Sequence, residues 1–129
     1  MNTAISSMMT AQTKTATMDA SITQIEDLMR SCSISALPII ENEEGHVIGI
    51  ISMRDIMRFH QEKRDPIAVS AWEICNYKPI AVSPDTAISD VAKLMLSHGV
   101  HHILVTQNRQ TIGIVSALDF VKKYIQDQA

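Results

Sequence analysis

A chain of 129 residues, 46% hydrophobic and 19% charged, is long enough for one compact unit with its own core, and this composition excludes a disordered chain. Aromatic residues are only 4%, so the core is aliphatic and there are few platforms on which single-stranded nucleic acid could stack. The formal charge of -3 disfavours a nucleic-acid backbone as partner, because that calls for a basic footprint.

Two cysteines, Cys32 and Cys75, are too few for a disulfide framework. No charged-then-apolar leader opens the chain, and no apolar run approaches the ~20 residues of a membrane-spanning helix. These features point to a cytoplasmic protein with reduced thiols and no membrane association.

The informative property of the chain is that it repeats itself. Asp19 and Ile22 recur 66 positions later as Asp85 and Ile88, Leu28 and Met29 as Leu94 and Met95, and Ser31 as Ser97. Further on, Ile48-Gly49-Ile50-Ile51-Ser52 recurs as Ile112-Gly113-Ile114-Val115-Ser116, and Asp55 as Asp119, now at an offset of 64. The two-residue deletion falls in a polar turn, longer in the first copy (41–45) than around Gln107, Asn108 and Arg109. Turns tolerate such changes.

Taken in chain order, each copy predicts the same elements. An extended segment comes first, at 15–17 and at 79–82. A helix follows. In the first copy Ser21 is placed to cap it, with Gln24 in capping-box position. Its apolar stripe is Ile25, Leu28, Met29 and Cys32. In the second copy Ile88, Val91, Ala92, Leu94 and Met95 form the stripe, and Gly99 stops the helix. Two short apolar runs around a polar turn then read as paired strands. A closing helix ends each copy, at 53–61 and 117–126.

The fold class predicted is α+β: two βαββα repeats packed with pseudo-two-fold symmetry through their sheets. The first repeat occupies 1–62 with its lead-in, 63–69 form a charged linker, and the second repeat occupies 70–129. Residues 71–75 predict a short helical turn that mirrors 5–9 at the same offset of 66. A repeat of this size buries too little surface to be secure alone.

The second strand of each copy runs into its closing helix through one motif, Gly49-Ile50-Ile51-Ser52-Met53-Arg54-Asp55 and Gly113-Ile114-Val115-Ser116-Ala117-Leu118-Asp119. With the upstream Leu37-Pro38-Ile39-Ile40 and the tandem layout, the chain resembles a pair of cystathionine-β-synthase (CBS) domains over nearly its whole length. In its own terms Ser-x-x-Asp at a helix start is a capping box, and capping alone accounts for Ser52, Asp55, Ser116 and Asp119. The alternative is that each helix start faces a cleft. There, free amides and the serine hydroxyl would hold a phosphate, and the carboxylate would accept hydrogen bonds from ribose.

The resemblance favours the second role. It implies adenine nucleotides or other adenosyl compounds, such as S-adenosylmethionine, as regulatory ligands. It places adenine against Ala36, Leu37 and Pro38 in the first copy and against His102, Ile103 and Leu104 in the second. Backbone contacts would come from near Thr15 and from Ile80 and Ala81. Arg54 is a candidate phosphate ligand in the first copy. The second has Leu118 there, which leaves His101 and His102 as its candidates. The resemblance further implies a homodimer with helices of two chains forming a disc. Ile56, Met57, Val121 and Ile125 are the interface candidates unless they face the core of their own chain. The reading is therefore a non-enzymatic ligand sensor acting on a protein target in trans. The competing reading is a ligand-free dimerisation or scaffold module whose boxes only cap helices.

Other signals carry less. His98, His101 and His102 cluster, but adjacent strand residues point to opposite faces, so a shared metal is disfavoured. Cys32 and Cys75 read as structural thiols rather than nucleophiles, and Trp72 as an anchor of its turn on the core. Met8, Met9, Met53 and Met57 read as packing residues.

Overall fold

Alternating apolar runs and two amphipathic helices per repeat produce two small sheets, each with a helical cover. The computed structural model describes residues 3–11, 14–42 and 45–128. In chain order they form a 3-10 turn (Ile5–Ser7), β1 (Thr10–Ala11), β2 (Ala16–Thr17), α1 (Ile22–Cys32), β3 (Ala36–Ile40), β4 (Val47–Ser52), α2 (Met53–Gln61), α3 (Ala71–Ile74), β5 (Ala81–Val82), α4 (Ile88–His98), β6 (His102–Gln107), β7 (Gln110–Ser116) and α5 (Ala117–Gln128). The mixed α+β architecture and the expected helices are present. The first-copy turn includes Glu43 and Glu44, which lie outside the described residues.

Two compact units result, Lys14–Pro79 and Met1–Thr13 with Ile80–Ala129. In the first, β2 runs parallel to β3, and β3 antiparallel to β4. Its core joins Ile22, Ile25 and Met29 of α1 to Leu37, Ile39 and Ile51 of the sheet and to Ile56 and Phe59 of α2. A hydrogen bond of 2.8 Å between His60 Nε2 and Glu26 Oε1 links α2 to α1 at the surface. Ile56 is only 1% exposed, so the core claims it and it is unavailable as an interface residue.

The second unit repeats the plan: β5 parallel to β6, β6 antiparallel to β7, with β1 added antiparallel on the far edge of β7. Its core comprises Ile5, Ile88, Val91, Met95, Ile103, Val105 and Val115.

The edge of each sheet explains the strand glycines. In the second unit, Thr10 and Ala11 pair with Ile114 and Gly113. In the first, Asn76 plays the part of Thr10: its amide donates to the Ile50 carbonyl at 2.9 Å, and the Ile50 amide donates to its carbonyl at 3.0 Å. Each lead-in therefore crosses directly over a glycine. A Cβ on Gly49 would stand 2.7 Å from the Asn76 carbonyl oxygen and 2.8 Å from Cys75 Sγ. One on Gly113 would collide with the Met9 side chain. Glycine inside a strand here marks close approach of another backbone segment. Ala71 and Ile5, equivalent in the repeat, are both fully buried beneath these crossings. Ala71, not Trp72, anchors its turn: Trp72 is 48% exposed, and its carbonyl accepts a hydrogen bond from the Tyr77 hydroxyl.

The two covering helices are each finished well at one end only. Ser21 caps α1 with a complete capping box shared with Gln24, but the residue closing the helix in left-handed conformation is Ser33, at φ 54°. In α4 the closing residue is Gly99, at φ 63°, which needs no Cβ accommodation, whereas Ala87 at the N-terminus offers no side-chain cap. Ser33→Gly relieves a left-handed side chain, and Ala87→Ser supplies a hydroxyl three residues before Asp90. Each is expected to stabilise the protein by about 0.5–1 kcal/mol, additively, in denaturant unfolding. A loss of stability with either would contradict the terminal geometry.

Candidate functional site

Each sheet brings its motif to one corner. Ser52 ends β4 opposite Ala36 at the start of β3, and Ser116 ends β7 opposite His102 at the start of β6. The parallel strand lies on the other side of the same corner: Thr15 precedes Ala16, the partner of Ile39, and Ile80 accepts from the Leu104 amide at 2.9 Å. Ala81 pairs with Leu104. The register thus brings Ser52 and Ala36 to one corner and Ser116 and His102 to the other.

The two helix starts are alike in detail. The Ser52 amide donates to Asp55 Oδ2 at 2.8 Å and the Asp55 amide to Ser52 Oγ at 3.3 Å. In the other unit the Ser116 amide donates to Asp119 Oδ2 at 2.8 Å and the Asp119 amide to Ser116 Oγ at 3.3 Å. The Ser52 hydroxyl also donates to Asp55 Oδ2 at 3.0 Å. The first helical amide is engaged as well, Met53 with the Ser35 carbonyl at 2.8 Å and Ala117 with the His101 carbonyl at 2.9 Å. Both boxes are therefore closed caps. Two amides of each first turn already have partners, which narrows the free-amide contact expected for a phosphate.

Side chains divide by strand alternation. Leu37 and Ile103 are fully buried in the helix-covered cores, so only their backbone atoms are available to a ligand. Ala36 and Pro38 lie on the opposite face of β3, as His102 and Leu104 do on β6; of these only His102 is half-buried, and Ala36, Pro38 and Leu104 are buried on that face. Thr15, Arg54 and His101 are exposed, while Asp55, Asp119 and His102 are half-buried.

One residue was missed from sequence. Arg58 approaches Asp55 Oδ1 at 3.8 Å from the next turn of α2, a contact legible in its i,i+3 spacing. Beyond it a shallow polar groove runs between α2 and α3, with Arg64 ion-paired to Glu73 at 3.4 Å.

The remaining sequence signals settle as follows. Cys75 is buried against Gly49, and burial pushes its thiol above the usual range, despite a lowering hydrogen bond with Tyr77. That is the reverse of nucleophile activation. Cys32 is half-buried. Among the described residues, no three of His, Cys, Asp and Glu stand where one metal ion could join them. No described helix is long and apolar enough to cross a membrane.

Comparison with known proteins agrees with this architecture. The chain is 26% identical to YlbB of Bacillus subtilis over 117 residues, 91% of this chain and 79% of that protein. Its fold matches a Burkholderia ambifaria protein described as a signal-transduction protein with CBS domains, at a TM-score of 0.84 and 28% identity over 92% of this chain and 87% of that one. It also matches the CBS domain pair of MJ0100, solved in complex with 5′-methylthioadenosine and S-adenosyl-L-methionine, at a TM-score of 0.84 and 22% identity, covering 98% of this chain and 99% of that one. The CBS domain family model matches twice, over residues 5–62 and 71–126. The duplicated strand–Ser-x-x-Asp–helix corners are those of a tandem CBS domain pair, and the chain belongs to the CBS domain family.

Proposed function

We propose that the protein is a non-enzymatic regulatory module that binds an adenosine-containing ligand, of the AMP, ADP, ATP or S-adenosylmethionine class, and passes its occupancy to a partner protein in trans. The observation that carries this reading is the duplicated corner: a half-buried carboxylate, a serine hydroxyl and the start of an apolar strand, brought together twice by the same register. The methylthioadenosine and S-adenosylmethionine complex of the MJ0100 pair supports the ligand class. Asp55 and Asp119 would accept from ribose hydroxyls, and Ala36 and Pro38 would offer adenine an apolar wall. Signalling would follow from linkage: a ligand with unequal affinity for two arrangements of the chain shifts their populations by that difference.

The same reading includes self-association through α5. No α5 side chain is buried, and Val121, Tyr124 and Ile125 are 52%, 66% and 62% exposed along it. A helix with this apolar face calls for a partner, and a second copy supplies an identical one. Ile125→Asp is expected to shift the protein from dimer to monomer in sedimentation equilibrium. An unchanged mass would reject this interface.

One observation favours a ligand-free scaffold instead: both boxes are complete as caps. Calorimetric titration with AMP, ADP, ATP and S-adenosylmethionine separates the two readings. Heat with at least one, lost in the Asp55→Ala, Asp119→Ala double variant, is the expected result. No heat with any of the four leaves the scaffold reading standing.

A further inference from the structure

We infer that Met9 is a modification site: a peroxide oxidises its thioether to the sulfoxide, and the polar product loosens β1 from the edge of β7. The inference stands apart from any ligand at the two corners.

Both crossings set a sulfur on a strand glycine. Positions 9 and 75 are 66 apart, the offset that relates the two lead-ins. A Cβ on Gly49 would stand 2.8 Å from Cys75 Sγ, and one on Gly113 would meet Met9 Sδ before any other atom. The two sulfurs differ in access. Cys75 is 7% exposed, and burial holds its thiol in the protonated, unreactive form. Met9 is half-buried and packed, as Met8 is, against the core of its unit. A thioether has no proton to lose, so its oxidation is governed by access.

The segment that follows Met9 is lightly held. β1 has two residues, both exposed, and is the outer strand of its sheet. Segments with little burial open locally at low cost. The Met9 side chain is unbranched, and turning it outward brings its sulfur to solvent. There one oxygen of hydrogen peroxide transfers to sulfur: the O–O bond breaks, an S–O bond forms, sulfur gives up two electrons, and water leaves with the protons. The product cannot resume its place. Gly113 has no room above it even for a methyl group, and the sulfoxide would lose water on returning to an apolar bed. Met9 stays turned out, and the Thr10–Ile114 and Ala11–Gly113 pairs lose their cover. Enzymatic reduction of the sulfoxide reverses the change. Met57, 60% exposed on α2, is oxidised as readily, but it supports no such crossing.

The test treats the full chain with hydrogen peroxide, locates sulfoxides by peptide mass spectrometry and reads hydrogen exchange at the amides of Thr10 and Ile114. Oxidation at Met9 is expected to speed that exchange by roughly 10–100-fold, the scale set by one unpaired polar group at a packed surface. Methionine sulfoxide reductase should restore the slow rate. Met9→Leu keeps the volume and should hold slow exchange through the same treatment, whereas Met8→Leu and Met57→Leu should respond as the wild-type chain does. Met9→Gln, with a polar end on a chain of similar length, should exchange fast without peroxide. Absence of sulfoxide at Met9 in the folded chain would overturn the inference. So would oxidised Met9 with unchanged exchange, or equal acceleration in Met9→Leu.

Discussion

Phe59→Ala is expected to destabilise the protein by about 3–5 kcal/mol, the usual cost of emptying a buried aromatic site. Phe59 is 2% exposed and is among the largest fully enclosed side chains of the chain. Its ring meets the His60 imidazole edge-on at 5.7 Å between centroids, and the Arg64 guanidinium lies 5.8 Å from its centre. It also fixes α2 one turn beyond Asp55, so the loss reaches the Ser52–Asp55 corner through the helix that carries it. Phe59→Leu keeps most of the volume and is expected to cost much less, below about 2 kcal/mol. Chemical denaturation of both variants checks the pair. Equal, small losses would mean that the core closes without this ring.

Gly49→Ala is the second large effect, and its contrast with Gly113→Ala is the sharper test. Both glycines lie under a crossing segment, but they meet different obstacles. At Gly49 the nearest atom is the backbone carbonyl oxygen of Asn76, which accepts from the Ile50 amide while the Asn76 amide donates to the Ile50 carbonyl. A methyl group there must push apart the edge pairing, at a cost of about 2–3 kcal/mol. At Gly113 all three nearest atoms belong to the Met9 side chain, which is unbranched and can turn away. That substitution is expected to cost about 1 kcal/mol or less. The reverse order of the two losses would contradict the crossing geometry.

Most of the elements were legible because each has a local signal. The stripe Ile25, Leu28, Met29 and the Ser21–Gln24 box define α1 without help from the rest of the chain. The Ser-x-x-Asp motif gave both the first residue of α2 and the corner that holds Asp55. What escaped is tertiary. Only their place inside a strand marked Gly49 and Gly113 as crossings, and nothing local said which segment crosses. The equivalence of 5–9 and 71–75 was visible, yet each lead-in joins the sheet of the other sequence repeat: β1 extends the sheet of β6 and β7, and Asn76 edges β4. Ser33 in left-handed backbone was hidden because the expected glycine is absent. Trp72 misled because size and apolarity suggested burial, whereas small Ala71 fills the tight space beneath the turn.

The candidate site was legible at the level of its two corners and less so at the level of atoms. Motif spacing found Ser52, Asp55, Ser116 and Asp119, but spacing does not show that the first-turn amides are already bonded. Leu37 and Ile103 were selected with their neighbours as an adenine wall. Strand alternation turns them into the helix-covered cores and leaves the opposite face to Ala36, Pro38, His102 and Leu104.

The central claim is that an adenosine compound sits at these corners, and amide-resolved NMR during a titration with AMP or S-adenosylmethionine tests it most directly. Saturable shifts confined chiefly to the amides of Ser52, Arg54 and Asp55, of Ser116, Leu118 and Asp119, and of the facing β3 and β6 starts are predicted. An unchanged spectrum with both compounds, or shifts centred elsewhere on the chain, would contradict the account.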